Sequence, residues 1–266
     1  MQAESPQTIE PHWQQFDREA GEAIALFEGK ILKPRLELWA VRIDLSAPHI
    51  KIFTAAGNPE SRGASILSTY VTSFVRDNNL LAGINALPFD PVSGKEGEYR
   101  GNVGIVISDG YILSPPHSSF SALVFYDDAP PAIIPQSKIV SAVNIAHAVG
   151  GFYQILADGA LSAHTENSAE RHPRSAAGIS ADGRYLYLLA IDGRRLGSVG
   201  STEAETAEIL RQLGAWNGIN LDGGGSTSLA LRFPDGKVRP VNKPIHNNIP
   251  GTERGVAGCI GVGLKY

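Results

Sequence analysis

The sequence predicts an α+β fold: a single domain with a large mixed, mainly antiparallel sheet flanked by a few helices. Three observations carry that expectation. About a dozen short runs rich in β-branched, aromatic or alternating apolar residues read as strands, whereas two segments have helical spacing. The strands do not alternate one for one with helices, as a parallel βαβ sheet would require. Asp-Gly pairs fall between apolar runs at Asp109-Gly110, Asp158-Gly159, Asp182-Gly183 and Asp235-Gly236, the strongest short signal for a tight turn.

Taken in order, residues 1–20 are polar, contain Pro6 and Pro11, and read as an N-terminal arm; residues 21–266 read as the domain. Strand composition follows at 23–27, 36–45 and 50–54, broken by Lys33-Pro34 and by Ser46-Ala47-Pro48. A helix is expected over 65–77, with Ile66, Leu67, Tyr70, Val71 and Phe74 on one side. A short buried strand at 80–84 ends at Asn85, which could orient a substrate hydroxyl or simply form a turn. Further strands are expected at 103–107, 111–113, 121–126, 140–149, 153–156, after Arg174, at 185–191 and at 256–264. The second helix should start at Thr202, because Thr202 and Glu205 have capping-box spacing. Ile209, Leu210 and Leu213 form its buried stripe, and Gly214 ends it.

Composition narrows the function. The 266 residues are 42% hydrophobic and 19% charged, ordinary for a globular chain able to bury a core. A net charge of −4 argues against nucleic-acid binding and against a polybasic membrane surface. The single cysteine, Cys259, excludes an intrachain disulfide and a multi-cysteine metal site, and its apolar neighbours mark it as a core thiol. No run has the length of a membrane span. No signal peptide is visible, and Met1 to Gln7 read as a start methionine before an already processed N-terminus. The chain is therefore expected to be exported, in the periplasm or at the cell surface.

The stretch 217–231 organises the rest. An apolar run ends at Asp222, three glycines follow, and Ser226 and Thr227 precede a second apolar run. Glycines permit positive φ or close approach to a ligand, and hydroxyls with unhindered N–H groups beside a carboxylate suit an anion- or sugar-binding turn. A glycine-rich hairpin between two core strands has the same composition. Upstream, Arg171-His172-Pro173-Arg174 puts a basic cluster at the mouth of a strand. It reads either as surface charge or as phosphate ligands, since the arginine fork makes paired charge-assisted hydrogen bonds. The polar loop 241–248, rich in amides, suits sugar hydroxyls as well as solvent. There is no G-x-x-x-x-G-K-[ST], G-x-S-x-G or H-E-x-x-H pattern.

Taken whole, G-x-x-G-x-T-x-x-E at 197–205, a helix, and N-x-D-G-G-G-S-T at 220–227 resemble the phosphodiester glycosidase family. The resemblance extends over about residues 35–264. It includes an R-S-A-x-G step at Arg174 and a variant I-N-G-x-F-D element at 84–90, with Ala86 in the glycine position. What it implies is hydrolysis of the sugar–phosphate bond of a glycosyl-1-phosphodiester, such as an N-acetylglucosamine phosphodiester, in an envelope polysaccharide or related glycoconjugate. The partner is then a glycan or sugar phosphate. Under this resemblance Asp222 is the expected nucleophile or general base and Glu205 the second carboxylate. Arg174, with His172, would bind phosphate, while Asn85, Thr202, Gly224, Gly225, Ser226, Thr227 and Asn242 complete the substrate site. No cofactor is expected, with calcium or magnesium at Asp222 left open. A non-catalytic glycan-binding module on the same scaffold is the alternative.

Overall fold

The computed structural model describes residues 8–16, 20–54, 65–92, 94–165 and 169–265. Among the described residues there are two α-helices, Val71–Asp77 (α1) and Glu203–Leu213 (α2), and 21 strands in four sheets, a mixed α+β fold made mostly of antiparallel sheet. The largest sheet has eight strands. In spatial order they are Gln14–Gln15, Ile24–Leu32, Arg35–Asp44, Tyr185–Ile191, Arg174–Ile179, Asn217–Asn220, Gln154–Ala157 and Ala160–Leu161, every neighbouring pair antiparallel. A five-stranded sheet runs Tyr111–Ser114, Val106–Ser108, Ile145–Gly150, Ser121–Tyr126, Ala132–Pro135. A second runs Val238–Pro240, Leu229–Arg232, Ala82–Asn85, Cys259–Leu264, Ile50–Thr54. Ser65–Leu67, Tyr99–Asn102 and Phe89–Asp90 make a small fourth sheet.

The main core lies where the three large sheets meet. Val41, Ile43, Leu188, Ala190 and Ile219 of the eight-stranded sheet pack with Leu123 and Val149 of one five-stranded sheet and Ile84, Leu229 and Ile260 of the other. The opposite face of the eight-stranded sheet holds Leu38, Ala176, Tyr187 and Leu189 against Ile209, Leu210 and Leu213 of α2. Arg174–Ile179 is therefore buried along its whole length instead of alternating, as expected of a strand covered on both faces. Its small residues allow the close approach: a Cβ at Gly178 would lie 2.6 Å from the Cβ of Ala215 just beyond α2. Helix α1 covers the other five-stranded sheet through Val71, Phe74 and Val75, beside Leu80 and Cys259. Cys259 is fully buried, and burial pushes its thiol pKa up. At the N-terminal end, the Trp13 ring sits 5.8 Å from Phe27 and 6.0 Å from Tyr187.

Two expected elements differ. The segment 65–77 splits into the strand Ser65–Leu67 and the shorter α1. The cause is Glu96, whose carboxylate accepts the Thr69 hydroxyl at 3.0 Å and the Tyr70 N–H at 2.9 Å, holding Tyr70 extended immediately before the helix. The expected strand 140–149 is confined to Ile145–Gly150. Asn144 turns the chain at φ 61°, and Val140 and Val143 stay exposed. Among the described residues no helix is long and apolar enough to cross a membrane.

Helix α2 begins and ends as its sequence dictates. Thr202 Oγ1 accepts from the Glu205 N–H at 3.1 Å, and the Glu205 carboxylate accepts from the Thr202 N–H at 3.0 Å. Gly214 closes it at φ 111°. A Cβ there would also lie 2.6 Å from the Tyr187 hydroxyl oxygen. Gly214→Ala is therefore expected to destabilise the protein by roughly 1–2 kcal/mol in urea unfolding; an unchanged midpoint would show that the turn relaxes freely.

Candidate functional site

The turn 221–228 carries the chain from the last residue of one strand in the eight-stranded sheet, Asn220, to the first of Leu229–Arg232 in a five-stranded sheet. Asp222 sits at this crossing and is fastened from both sides. Its N–H donates to Ala86 O at 2.8 Å, and its carbonyl accepts from Asn85 Nδ2 at 2.6 Å. Asn85, fully buried at the end of Ala82–Asn85, accepts at Oδ1 from the Ser175 hydroxyl at 2.6 Å and the Ser228 N–H at 3.1 Å. One amide thus ties strands of two sheets to the two ends of the turn.

The glycines let the turn pass close to its neighbours. Gly224 adopts φ 62° and its N–H donates to Pro173 O at 2.8 Å. A Cβ on Gly223 would come 2.8 Å from that same oxygen, and one on Gly225 would strike Arg254 Nη2. The half-buried Asp222 carboxyl accepts from the Ser226 hydroxyl and the Gly223 N–H. Burial pushes its pKa up to about 6, against the lowering effects of those two bonds and of the Arg254 charge. Arg254 Nη1 donates to Ser226 Oγ at 3.2 Å and its Nε to His246 Nδ1 at 3.0 Å, so His246 carries its ring proton on Nε2. Burial and the neighbouring Arg254 hold the His246 pKa below its ordinary value. Arg194 approaches from the opposite loop, where its Nη2 would lie 3.2 Å from a Cβ on Gly224. Arg194 is exposed, has φ 57°, and makes no hydrogen bond or ion pair among the described residues. A non-glycine residue in that backbone region is strained by on the order of 1 kcal/mol.

The other residues singled out from sequence fall into two groups. Arg174 is 7% exposed, and its fork donates to Ser201 O at 3.1 Å, Glu170 O at 3.2 Å and Glu203 Oε1 at 3.5 Å. Glu205, besides capping α2, receives both terminal nitrogens of Arg171 at 2.7 and 2.5 Å. His172 faces the Glu170 carboxylate at 3.1 Å, and its backbone pairs with Ser201. Arg174, His172, Thr202 and Glu205 therefore join the 170–174 segment to the start of α2. The second group supports the turn from within. Asn85 is one member. Asn242 is buried, accepts the Leu229 N–H at 2.9 Å and donates to Thr227 O and Asp192. Thr227 is also buried, and its hydroxyl has no hydrogen-bond partner among the described residues.

Sequence reading did not single out Arg254 or His246; Arg194 and Arg195 could there serve the site, with flexible surface charge as the default. Arg254 stands between Glu253 and Gly255 ahead of a buried strand, a position without a recognisable pattern. Arg194 and Arg195 look equivalent in sequence, yet Arg195 turns inward to Glu37 and the buried Asp192 while Arg194 stays outside. Among the described residues no three His, Cys, Asp or Glu side chains gather to hold a metal ion. A cleft of about 630 Å³ lies elsewhere, lined by Lys51, Asp109, Phe125 and His147, and includes none of the residues of the turn.

A carboxyl group, a glycine turn and guanidinium groups at a sheet crossing have the chemistry to hold an anionic, hydroxyl-bearing ligand. The chain belongs to the phosphodiester glycosidase family, whose model matches residues 78–263. It is 26% identical over 170 residues to the SPbeta prophage-derived uncharacterized protein YomE of Bacillus subtilis, a match covering 59% of this chain and 25% of that one. The chain thus spans about a quarter of the length of that curated relative. Among solved structures, the catalytic domain of zebrafish N-acetylglucosamine-1-phosphodiester alpha-N-acetylglucosaminidase, auto-inhibited by its pro-peptide, superposes with a TM-score of 0.69. The two are 17% identical, over 97% of this chain and 89% of that one. A hypothetical protein from Synechocystis superposes with a TM-score of 0.68 at 19% identity, over 92% of this chain and 62% of that one. At these identities the structural likeness establishes the fold.

The raised Asp222 pKa has a consequence for stability. A carboxyl that binds its proton more tightly when folded loses stability as pH rises from about 4 through 6. Asp222→Asn, which cannot ionise, should melt with wild type at pH 4 and above it at pH 8, by on the order of 2–3 kcal/mol. Equal melting at pH 8 would mean that Asp222 titrates as an ordinary surface acid.

Proposed function

We propose that the protein hydrolyses the bond between the anomeric carbon of a sugar and the phosphate of a glycosyl-1-phosphodiester, with Asp222 as general base. The observation that carries this reading is the half-buried Asp222 carboxyl, poised near pH 6 on a glycine turn whose backbone is fixed from both sides. A base with a pKa near the working pH serves proton transfer best. Water adds its oxygen to the anomeric carbon and gives a proton to Asp222. The carbon–oxygen bond breaks, and its electron pair leaves with a phosphate monoester. Because that leaving group is already anionic and stable, protonation by a second acid is less necessary than in ordinary glycoside cleavage. The Arg254 charge next to Ser226 favours the developing negative charge.

Glu205 takes the supporting part in this scheme. Its carboxylate orders Arg171 and the start of α2, and with them Pro173, which holds Gly224. The same saturation of Glu205 favours a second reading, in which the turn binds a glycan without cleaving it. Membership in the family and the likeness of fold to the zebrafish glycosidase support the enzyme reading. An N-acetylglucosamine phosphodiester of an envelope polysaccharide, met in the periplasm or at the cell surface, is the substrate we favour.

Incubation with an α-N-acetylglucosamine phosphodiester in oxygen-18 water tests the scheme. The expected products are free sugar labelled at the anomeric position and unlabelled phosphate monoester. Asp222→Asn should lower kcat/KM by on the order of 10²–10⁴, and the wild-type rate should rise through about pH 6. Label in the phosphate would mean attack at phosphorus. Saturable binding without turnover of any sugar phosphodiester would favour the binding module.

A further inference from the structure

The cleft of about 630 Å³ lies at the other end of the sheets from the Asp222 turn, and strand register fixes that placement. Arg174–Ile179 begins beside the Asp222 turn and runs into the 180–184 turn, three residues of which line the cleft. In the neighbouring five-stranded sheet Cys259 pairs with Asn85, beside Asp222, whereas Leu264 pairs with Ile50, at the cleft. About 17 Å of strand separates the two ends.

The walls of the cleft are preformed and mostly apolar. Ile50, Ile52 and Phe125 belong to the core, and Pro130 and Pro131 close one side. Gly183, at φ 71°, lies so close to that side that a Cβ on it would come 2.7 Å from the Pro130 Cβ. The turn that carries Gly183 is fixed on both flanks. Asp182 accepts from the Ser180 hydroxyl at 2.5 Å and the Arg184 N–H at 3.0 Å, and the Arg184 fork is committed to Asp44 at 3.0 and 2.6 Å. A preformed apolar cleft of this size with a few convergent polar groups has the character of a small-molecule site.

One of those polar groups is buried and left with nothing to bond. His147 is 6% exposed and lines the cleft. Its Nδ1 accepts the Asp109 N–H at 3.4 Å, so the neutral ring carries its proton on Nε2. Burial holds the His147 pKa below its ordinary value, which keeps the ring neutral. Nε2 makes no hydrogen bond among the described residues, because Asp109 Oδ1 stays 3.7 Å away. Lys51 reaches the same carboxylate only at 3.8 Å, and the Lys265 ammonium has no ion pair among the described residues. With Asp182 and Arg184 already engaged, the cleft therefore sets an imidazole N–H and two ammonium groups against the one exposed carboxylate of Asp109. That balance favours an anion, and the aromatic and proline walls suit a flat apolar body behind it.

We propose that this cleft is a second ligand site, which takes a small organic carboxylate with a flat apolar body. The carboxylate would meet His147 Nε2 and Lys51, and the body would lie against Phe125 and Pro130. The site stands apart from the Asp222 reaction and does not depend on it.

Calorimetry with 2-naphthoate tests this, with 2-naphthalenemethanol as a body of the same shape that carries no charge. Wild type is run beside Lys51→Gln, His147→Phe, Asp222→Asn and Lys237→Gln, the last an exposed lysine on the distant 233–240 hairpin. Wild type should bind 2-naphthoate saturably and the alcohol about tenfold more weakly. Lys51→Gln and His147→Phe should each weaken 2-naphthoate binding about tenfold, with Asp222→Asn and Lys237→Gln unchanged. His147→Phe strands the Asp109 N–H, so its melting temperature is recorded; Lys51→Gln strands no buried group and decides the matter if His147→Phe fails to fold. No saturable binding of 2-naphthoate, equal affinity for the alcohol, or binding indifferent to Lys51→Gln overturns the proposal. Binding lost in Asp222→Asn would place the probe at the glycine turn and overturn it as well.

Discussion

The clasp around Asp222 is the constraint on which the site depends. Asn85 cannot turn toward solvent, because each end of its amide is committed to a different segment: Asp222 on one side, Ser175 and Ser228 on the other. A buried amide with satisfied partners fixes geometry strongly, since breaking any of these bonds would strand a polar group out of water. The Asp222 carboxyl is therefore presented at a fixed point between two sheets. Its raised pKa is a property of that place, produced by packing and moderated by Ser226 and Arg254.

The rest of the fold can be understood as support for this point. The 174–179 strand has the small residues Ala176 and Gly178 where α2 packs behind it, and Pro173, immediately before the strand, offers its carbonyl to Gly224. Glu203, Glu205, Arg171 and Arg174 join the start of α2 to the same segment. On the far side, Asn242 receives the first N–H of the strand that leaves the turn. Arg171 and Arg174 are thus paired with Glu205 and Glu203 at the start of α2, while Arg194 and Arg254 reach the turn from loops farther along the chain.

Much of this was legible in the sequence. The apolar strands at 185–191 and 121–126, the Asp-Gly turns and the Thr202–Glu205 cap depend on neighbouring residues, and all recur in the structure. The splitting of 65–77 was not legible, because it depends on Glu96, which reaches back across about 26 residues to compete for the helix start. The same limit applies to the site. The Asp222 turn has a local signature, glycines next to an acid. Whether an arginine faces inward, as Arg174 and Arg195 do, or outward, as Arg194 does, is decided by partners distant in sequence.

The central claim is that Asp222 is held near its titration point by burial and tempered by Arg254. Its carboxyl carbon can be followed directly by carbon-13 NMR as pH is varied, in wild type and in Arg254→Gln. The account predicts a midpoint of about 6 in wild type, moving upward when the arginine charge is removed. A midpoint near the ordinary aspartate value of about 4, or one indifferent to Arg254, would contradict it.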